Sequence, residues 1–156
     1  MKKKRLARSV GKNMITIIVN AYLFWGTWQD VKEREIGNLY LSIGAMGGLT
    51  FCMLKILTKE VSFAEQMMAW VPGIIFLFLA KMWEEKIGLG DGLVLLVLGN
   101  FIKFKELWLI VRISFSLLMI FSVLLLCSKK ASKNCQIPFL PFLWISHSLI
   151  WGLQYV

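Results

Sequence analysis

Five clusters of charge cut this chain of 156 residues into six apolar stretches, and no other feature limits its fold as much. The clusters fall at residues 30–35, 59–60, 84–86, 103–106 and 128–136, and the stretches at about 13–29, 36–57, 63–83, 87–102, 107–127 and 137–155. A helix of ~20 apolar residues crosses the ~30 Å hydrocarbon core of a bilayer. Only the fourth stretch, of about 16 residues, is plainly short of that length. Hydrophobic residues make up 58% of the chain and the mean hydropathy is +0.68, against about 45–50% apolar in an ordinary globular chain. One soluble core cannot hide so much apolar surface in so short a chain, because small domains leave much of their surface wet. The expected fold class is an all-α membrane protein, a bundle of about six transmembrane helices. It reads as one polytopic domain over residues 1–156, with a basic N-terminal tail at 1–12. Loops this short exclude a separate nucleotide-binding domain or a large ectodomain.

The charge points to membrane rather than nucleic acid. Lys+Arg total 18 against 9 Asp+Glu. Six of the basic residues (Lys2, Lys3, Lys4, Arg5, Arg8, Lys12) precede the first apolar stretch, and most of the rest punctuate later ones, as loop charges do in bilayer proteins. No nucleic-acid partner is expected. Cys52, Cys127 and Cys135 form no CxxC and no paired metal spacing, so neither a metal nor another cofactor is expected; Cys52 and Cys127 read as buried, inert thiols. No small-residue cleavage site follows the first stretch, which is therefore read as a retained helix rather than a signal peptide. Gly44, Ala45, Gly47 and Gly48 should let another helix approach the second span closely. Pro72 should kink the third. Trp25, Trp28, Trp83 and Trp108 fall near span ends, as an interfacial aromatic belt does. Asn20 and Gln29 are polar enough to face the bundle interior.

Two aspartates stand where helices meet the boundary. Asp30 closes the first span and Asp91 opens the fourth. With six spans, the connections after the first and third share a compartment, so both carboxylates lie on one side whichever way the protein is oriented. Two carboxylates close together cannot both ionise cheaply, so the pair holds one proton. One can then act as base on a water while the other donates a hydrogen bond to a carbonyl oxygen. Either aspartate taken alone would read as a helix cap or a solvated turn. Gly88 and Gly90 remove side chains beside Asp91 and would let an extended backbone approach it. Pro138 and Pro141 read as bends in the sixth helix, with Phe139 and Phe142 packing on the helices that bear the aspartates.

Three segments carry a family resemblance. Asp30 is followed by Val31-Lys32-Glu33-Arg34-Glu35-Ile36-Gly37-Asn38, which resembles the D-x5-I-P-N element of the type IV prepilin peptidase family. Gly88-Leu89-Gly90-Asp91 matches that family's GxGD, with Gly99 eight residues on in its usual place. Ile137-Pro138-Phe139-Leu140-Pro141-Phe142-Leu143 is similar to its PFxPFL signature. The resemblance implies a six-helix core whose catalytic Asp30 and Asp91 cleave the basic leader from type IV pilin-like precursors at the cytoplasmic face. Gly88, Gly90, Ile36, Asn38, Pro138 and Pro141 would support the motifs. It further implies a multi-pass protein of a bacterial or archaeal cytoplasmic membrane whose partners are a membrane-inserted prepilin or pseudopilin precursor and the lipid bilayer. The chain looks like the short, peptidase-only form without an N-methyltransferase domain.

Departures from that pattern are few. Gly37 stands where proline is usual and should loosen the turn after Asp30, and Leu93 stands where lysine is frequent. The GxGD also resembles presenilin-type intramembrane proteases, but the chain has no Pro-Ala-Leu. Outside proteolysis, a proton-coupled transporter could use the same paired acids, and a non-catalytic assembly subunit would need neither. Lys32, Arg34, Glu84 and Glu85 read as solvated loop charges, Arg112 as a snorkelling side chain, and His147 as an interhelical hydrogen-bonding group. An outside amino terminus would put ten basic residues on the outer side and seven on the inner. The positive-inside rule therefore favours an inside terminus, whereas the resemblance favours an outside terminus with both aspartates cytoplasmic. The resemblance is followed here, and it leaves the basic tail without a role.

Overall fold

The computed structural model describes residues 2–33, 36–82, 88–127 and 137–153, without the side chains of 2–10 and 12. The expectations placed on Arg34, Trp83, Glu84, Glu85, Cys135 and the basic side chains of the tail lie outside the described residues. Among the described residues there are six helices and no strand: α1 (Lys2–Glu33), α2 (Asn38–Leu57), α3 (Phe63–Met82), α4 (Leu89–Phe101), α5 (Phe104–Cys127) and α6 (Leu140–Leu153).

The order and number of helices follow the apolar stretches, but the starts of α1 and α6 differ for identifiable reasons. The segment expected as a separate tail is the start of α1 itself. Its lysines, arginines, leucine and alanine all favour helix, and Gly11 alone does not interrupt it. α3 runs unbroken from Phe63 to Met82 through a buried Pro72. α6 begins at Leu140, so Pro138 precedes it and Pro141 lies in its first turn. Neither proline bends the helix from within, because a first turn needs no N–H from proline.

Three helices, α2, α3 and α5, are long and apolar enough to cross a membrane. α4 and α6 are apolar but shorter, with 13 and 14 residues, or about 20 Å each at 1.5 Å per residue.

α4 is the centre of the bundle. Gly92, Val94, Leu95, Val97, Leu98, Gly99 and Asn100 are all buried, so most of the helix is enclosed, with Leu89 and Leu93 left exposed near its start. It packs most closely on α3 and next on α2, while α1 packs on α6, α6 on α5 and α5 on α3. Glycines set the α3–α4 distance. A Cβ on Gly99 would stand 2.5 Å from the Ala69 carbonyl oxygen, one on Gly73 2.7 Å from the Leu96 nitrogen, and one on Gly92 2.8 Å from Leu77. On α2, Gly44 lies against the Tyr22 ring and Gly48 against Asn100, while Gly47 is exposed. The core joins Val19 and Leu23 of α1, Tyr40 of α2, the α4 face, Leu107, Ile110 and Val111 of α5, and Leu140 and Leu143 of α6. Outward faces stay apolar, with Met46 of α2, Phe78 of α3 and Met119 of α5 exposed, as lipid-facing surfaces are.

Polar groups lock α4 at its carboxyl end. Lys55 Nζ donates to the carbonyls of Asn100 (2.8 Å) and Phe101 (3.2 Å), Gln66 Nε2 to the Gly99 carbonyl (3.0 Å), and Trp70 Nε1 to Asn100 Oδ1 (2.9 Å). The lysine and glutamine bonds satisfy carbonyls that have no partner within the helix, and the tryptophan bond fixes the Asn100 side chain. Ser148 Oγ of α6 donates to Asn20 Oδ1 of α1 at 2.8 Å, so Asn20 does face a neighbouring helix. Cys52 is buried, but Cys127 is exposed at the last position of α5 rather than buried as expected.

Gly99 tests this packing. Gly99→Ala should destabilise the fold by about 1–3 kcal/mol, because the neighbour that must yield is backbone. Gly152→Ala, whose Cβ would meet nothing within 4 Å, should leave the melting temperature in detergent unchanged.

Candidate active site

Asp30 lies in the last turn of α1, just past the apolar stretch, and only 8% of its surface is exposed. A carboxylate buried so far needs a donor, and α6 supplies one. The Leu140 backbone N–H donates to Asp30 Oδ2 at 3.1 Å. That N–H belongs to the first turn of α6, where amides lack intrahelical partners and the helix end favours negative charge. Burial pushes the Asp30 carboxyl above the usual carboxylate range, while the amides of Leu140 and Phe139 pull it back, since donors to the charged form favour it.

Asp91 sits in the first turn of α4. Its backbone N–H bonds to the Gly88 carbonyl at 3.1 Å, and Gly88 caps the helix with an extended backbone, φ −60° and ψ 117°. A Cβ on Gly88 would lie 3.1 Å from Asp91 Oδ2, so the glycine keeps that oxygen uncovered. The charge of Asp30 acts on Asp91 through space; the ends of α1 and α4 therefore bring both carboxyl groups to one end of the bundle.

The second glycine has a different use from the one expected. A Cβ on Gly90 would stand 2.7 Å from Ile36 Cδ1 and 3.1 Å from Ile36 Cβ. Its smallness is taken up by Ile36, which packs over the start of α4, and does not leave a gap for an incoming chain. The segment after Asp30 is thereby fastened to the helix that carries Asp91. Asn38 is the first residue of α2 and its side chain is exposed, so it joins this cluster only through the backbone turn. Gly37 caps α2 with φ −62° and ψ 137°, a conformation that proline also adopts. The turn has the angle of the usual proline without its ring, so the expected loosening is absent from the folded backbone.

Pro138 and Pro141 bracket Leu140 and deliver its N–H to Asp30. Phe139 shares the core with Val19 and Leu23 of α1 and Val94 and Leu95 of α4, and the ring contacts of both phenylalanines go to α3 and α5. Phe139 stacks with Phe76 of α3 and tilts against Phe115 of α5, at centroid distances of 5.7 and 5.4 Å, and Phe142 meets Phe121 of α5 at 5.5 Å. Those rings hold the start of α6 from behind, leaving its amide edge to Asp30. Leu93, where a basic residue was conspicuously missing, is exposed on α4. Lys32 is exposed beyond Asp30, and Arg112 is exposed on α5.

Tyr40 escaped the reading of the sequence. It is fully buried, stacks on Tyr22 at 4.2 Å and meets Trp25 edge-on at 5.7 Å. Its ring lies against Gly26, its hydroxyl makes no hydrogen bond, and it feels the Asp30 charge. The only signal in the chain was a tyrosine two residues after Asn38. The Leu140 amide was equally hidden, since a backbone group leaves no mark in a sequence. His147 is buried, and its Nδ1 makes no hydrogen bond.

The profile of the type IV leader peptidase family matches residues 17–124. That span takes in Asp30, Ile36, Gly88, Gly90 and Asp91 and ends before the Pro138–Pro141 segment. No curated protein and no solved structure matches the chain.

Two substitutions probe the local physics. Gly37→Pro should raise stability by about 0.4–1 kcal/mol through the unfolded chain alone, read as a higher melting temperature. Asp30→Asn keeps an acceptor for the Leu140 amide but removes the buried charge. Because the folded-state carboxyl titrates higher than the unfolded one, the cost of ionising it appears as pH rises through the folded value. The gain in melting temperature of Asp30→Asn over wild type should therefore be larger at about pH 8 than at about pH 4.

Proposed function

The chain belongs to the type IV leader peptidase family, and we propose that it acts there as an aspartic endopeptidase, with Asp30 and Asp91 cleaving the basic leader from pilin-like precursors. One observation carries this reading: Asp30 lies in the last turn of α1 and Asp91 in the first turn of α4, and Ile36, six residues after Asp30, packs on Gly90 beside Asp91, so two carboxyl groups from distant parts of the chain reach one end of the bundle. Such a pair holds a single proton near neutral pH. The ionised partner takes a proton from a water as its oxygen attacks the scissile carbonyl. The protonated partner donates to the carbonyl oxygen, where negative charge develops. Collapse of the tetrahedral intermediate returns a proton to the departing amine and restores the shared proton.

Other features fit the same chemistry. The amides of Leu140 and Phe139 hold Asp30 fixed, so the pair is arranged before substrate arrives. Gly88 leaves Asp91 Oδ2 uncovered. The site lies at helix ends, where a precursor that carries its own apolar helix could reach it sideways from the bilayer while its polar leader stays in water. In this reading the aspartates face the cytoplasm and the protein is a multi-pass component of the cytoplasmic membrane.

Asp30→Asn and Asp91→Asn, made separately, test the assignment. With detergent-solubilised protein and a prepilin-like precursor, each should slow cleavage by on the order of 10² or more while the melting temperature is kept or raised. A wild type that leaves basic-leader precursors uncut, or a variant that still cuts at the wild-type rate, would overturn it.

A further inference from the structure

The end of the bundle away from Asp30 and Asp91 contains a cavity of about 860 Å³. It lies between the α1–α6 and α2–α4 pairs, closed below by Val19, Ile110 and Ile150 and rimmed by the α2–α3 turn and the start of α5. That volume exceeds by far the ~30 Å³ of a water and falls in the range of small-molecule sites, roughly 300–1,000 Å³. α1 stands clear at this level, since a Cβ on Gly11 would meet nothing within 4 Å.

Two buried polar side chains line it. Lys55 is 9% exposed and His147 6%. Lys55 Nζ spends two donors on the Asn100 and Phe101 carbonyls and lies 4.7 Å from the centre of the Phe51 ring. An ammonium has three donors, so one remains. His147 Nδ1 makes no hydrogen bond. A cation and an imidazole nitrogen are seldom buried without a use. Among the described residues, the other charges around the cavity are Lys59 and Lys103 against Glu60 and Glu106, which with Lys55 leaves one positive charge in excess.

A wall that carries a buried lysine with a spare donor and a buried imidazole without a partner, beside the apolar Val19, Ile110 and Ile150, complements an amphiphile with an anionic head. We propose that this cavity binds the phosphate-bearing headgroup of a membrane phospholipid. Lys55 Nζ and His147 Nδ1 donate to the phosphate, and the floor takes the glycerol and the first methylenes of an acyl chain. A free phosphate shares the head chemistry but leaves the apolar floor unfilled. The site is independent of the proteolytic reading, because it contains neither aspartate and lies at the other end of the helices.

The full chain, stripped of lipid in a neutral detergent, is titrated with dioleoyl phosphatidylglycerol, with glycerol 1-phosphate and with dioleoylglycerol. Retained lipid is counted by native mass spectrometry and the melting temperature followed. The phospholipid should bind one to one and raise the melting temperature, whereas headgroup alone or chains alone should do neither. His147→Leu should weaken binding about tenfold and Lys55→Met by at least as much, the loss of one hydrogen bond to a charged group. If Lys55→Met does not fold, His147→Leu decides alone, since it leaves the α4 carbonyls with their lysine. Wild type that retains no phospholipid, a free headgroup that matches the lipid, or a folded variant with wild-type affinity would each overturn the proposal.

Discussion

Everything in this bundle depends on how near the backbones of α3 and α4 can come. Gly73, Gly92 and Gly99 place main chain against main chain or side-chain root, which in lipid replaces the hydrophobic drive available in water with dispersion contact. Once α3 is that close, most of α4 can be buried despite its 13 residues. The carbonyls at its carboxyl end then need donors from other helices, and Lys55 and Gln66 provide them, while Trp70 holds the Asn100 side chain. Its amino end carries Asp91. The helix is gripped at one end and chemically equipped at the other.

The acidic end is organised by backbone more than by side chains. The Asp30 carboxyl is met by amides of α6, the Asp91 backbone N–H bonds to the Gly88 carbonyl, and Ile36 ties the turn after Asp30 to Gly90. Amides at a helix start are fixed in direction by the helix behind them. A carboxylate held by such groups cannot drift the way one held by long side chains can, and a residue poised for proton transfer profits from that stillness.

Much of this was readable in the chain, and the unreadable parts share a cause. Six apolar stretches set the helices, and counting them put Asp30 and Asp91 at one end. The motif segments drew attention to Ile36, Gly90 and Pro138 before their contacts were known. What the pattern could not yield was pairing between distant segments. Nothing in Gly88-Leu89-Gly90-Asp91 says that Gly90 faces Ile36, nor does Pro138-Phe139-Leu140-Pro141 say that its value lies in a main-chain N–H. Residue type predicts exposure and propensity, whereas contact is decided by the whole bundle. The same limit hid Tyr40. The tail was misjudged for another reason: charge marks where a span leaves the bilayer, not where its helix stops.

One contact has a consequence for how the molecule comes into being. The amide that greets Asp30 belongs to a residue 110 positions further along. A chain made from its amino terminus therefore carries both carboxyl groups long before α6 is available to complete their surroundings. During that interval Asp30 has no helix start to steady it. Synthesis order thus makes the surroundings of Asp30 one of the last parts of the bundle to be completed, when the final helix docks.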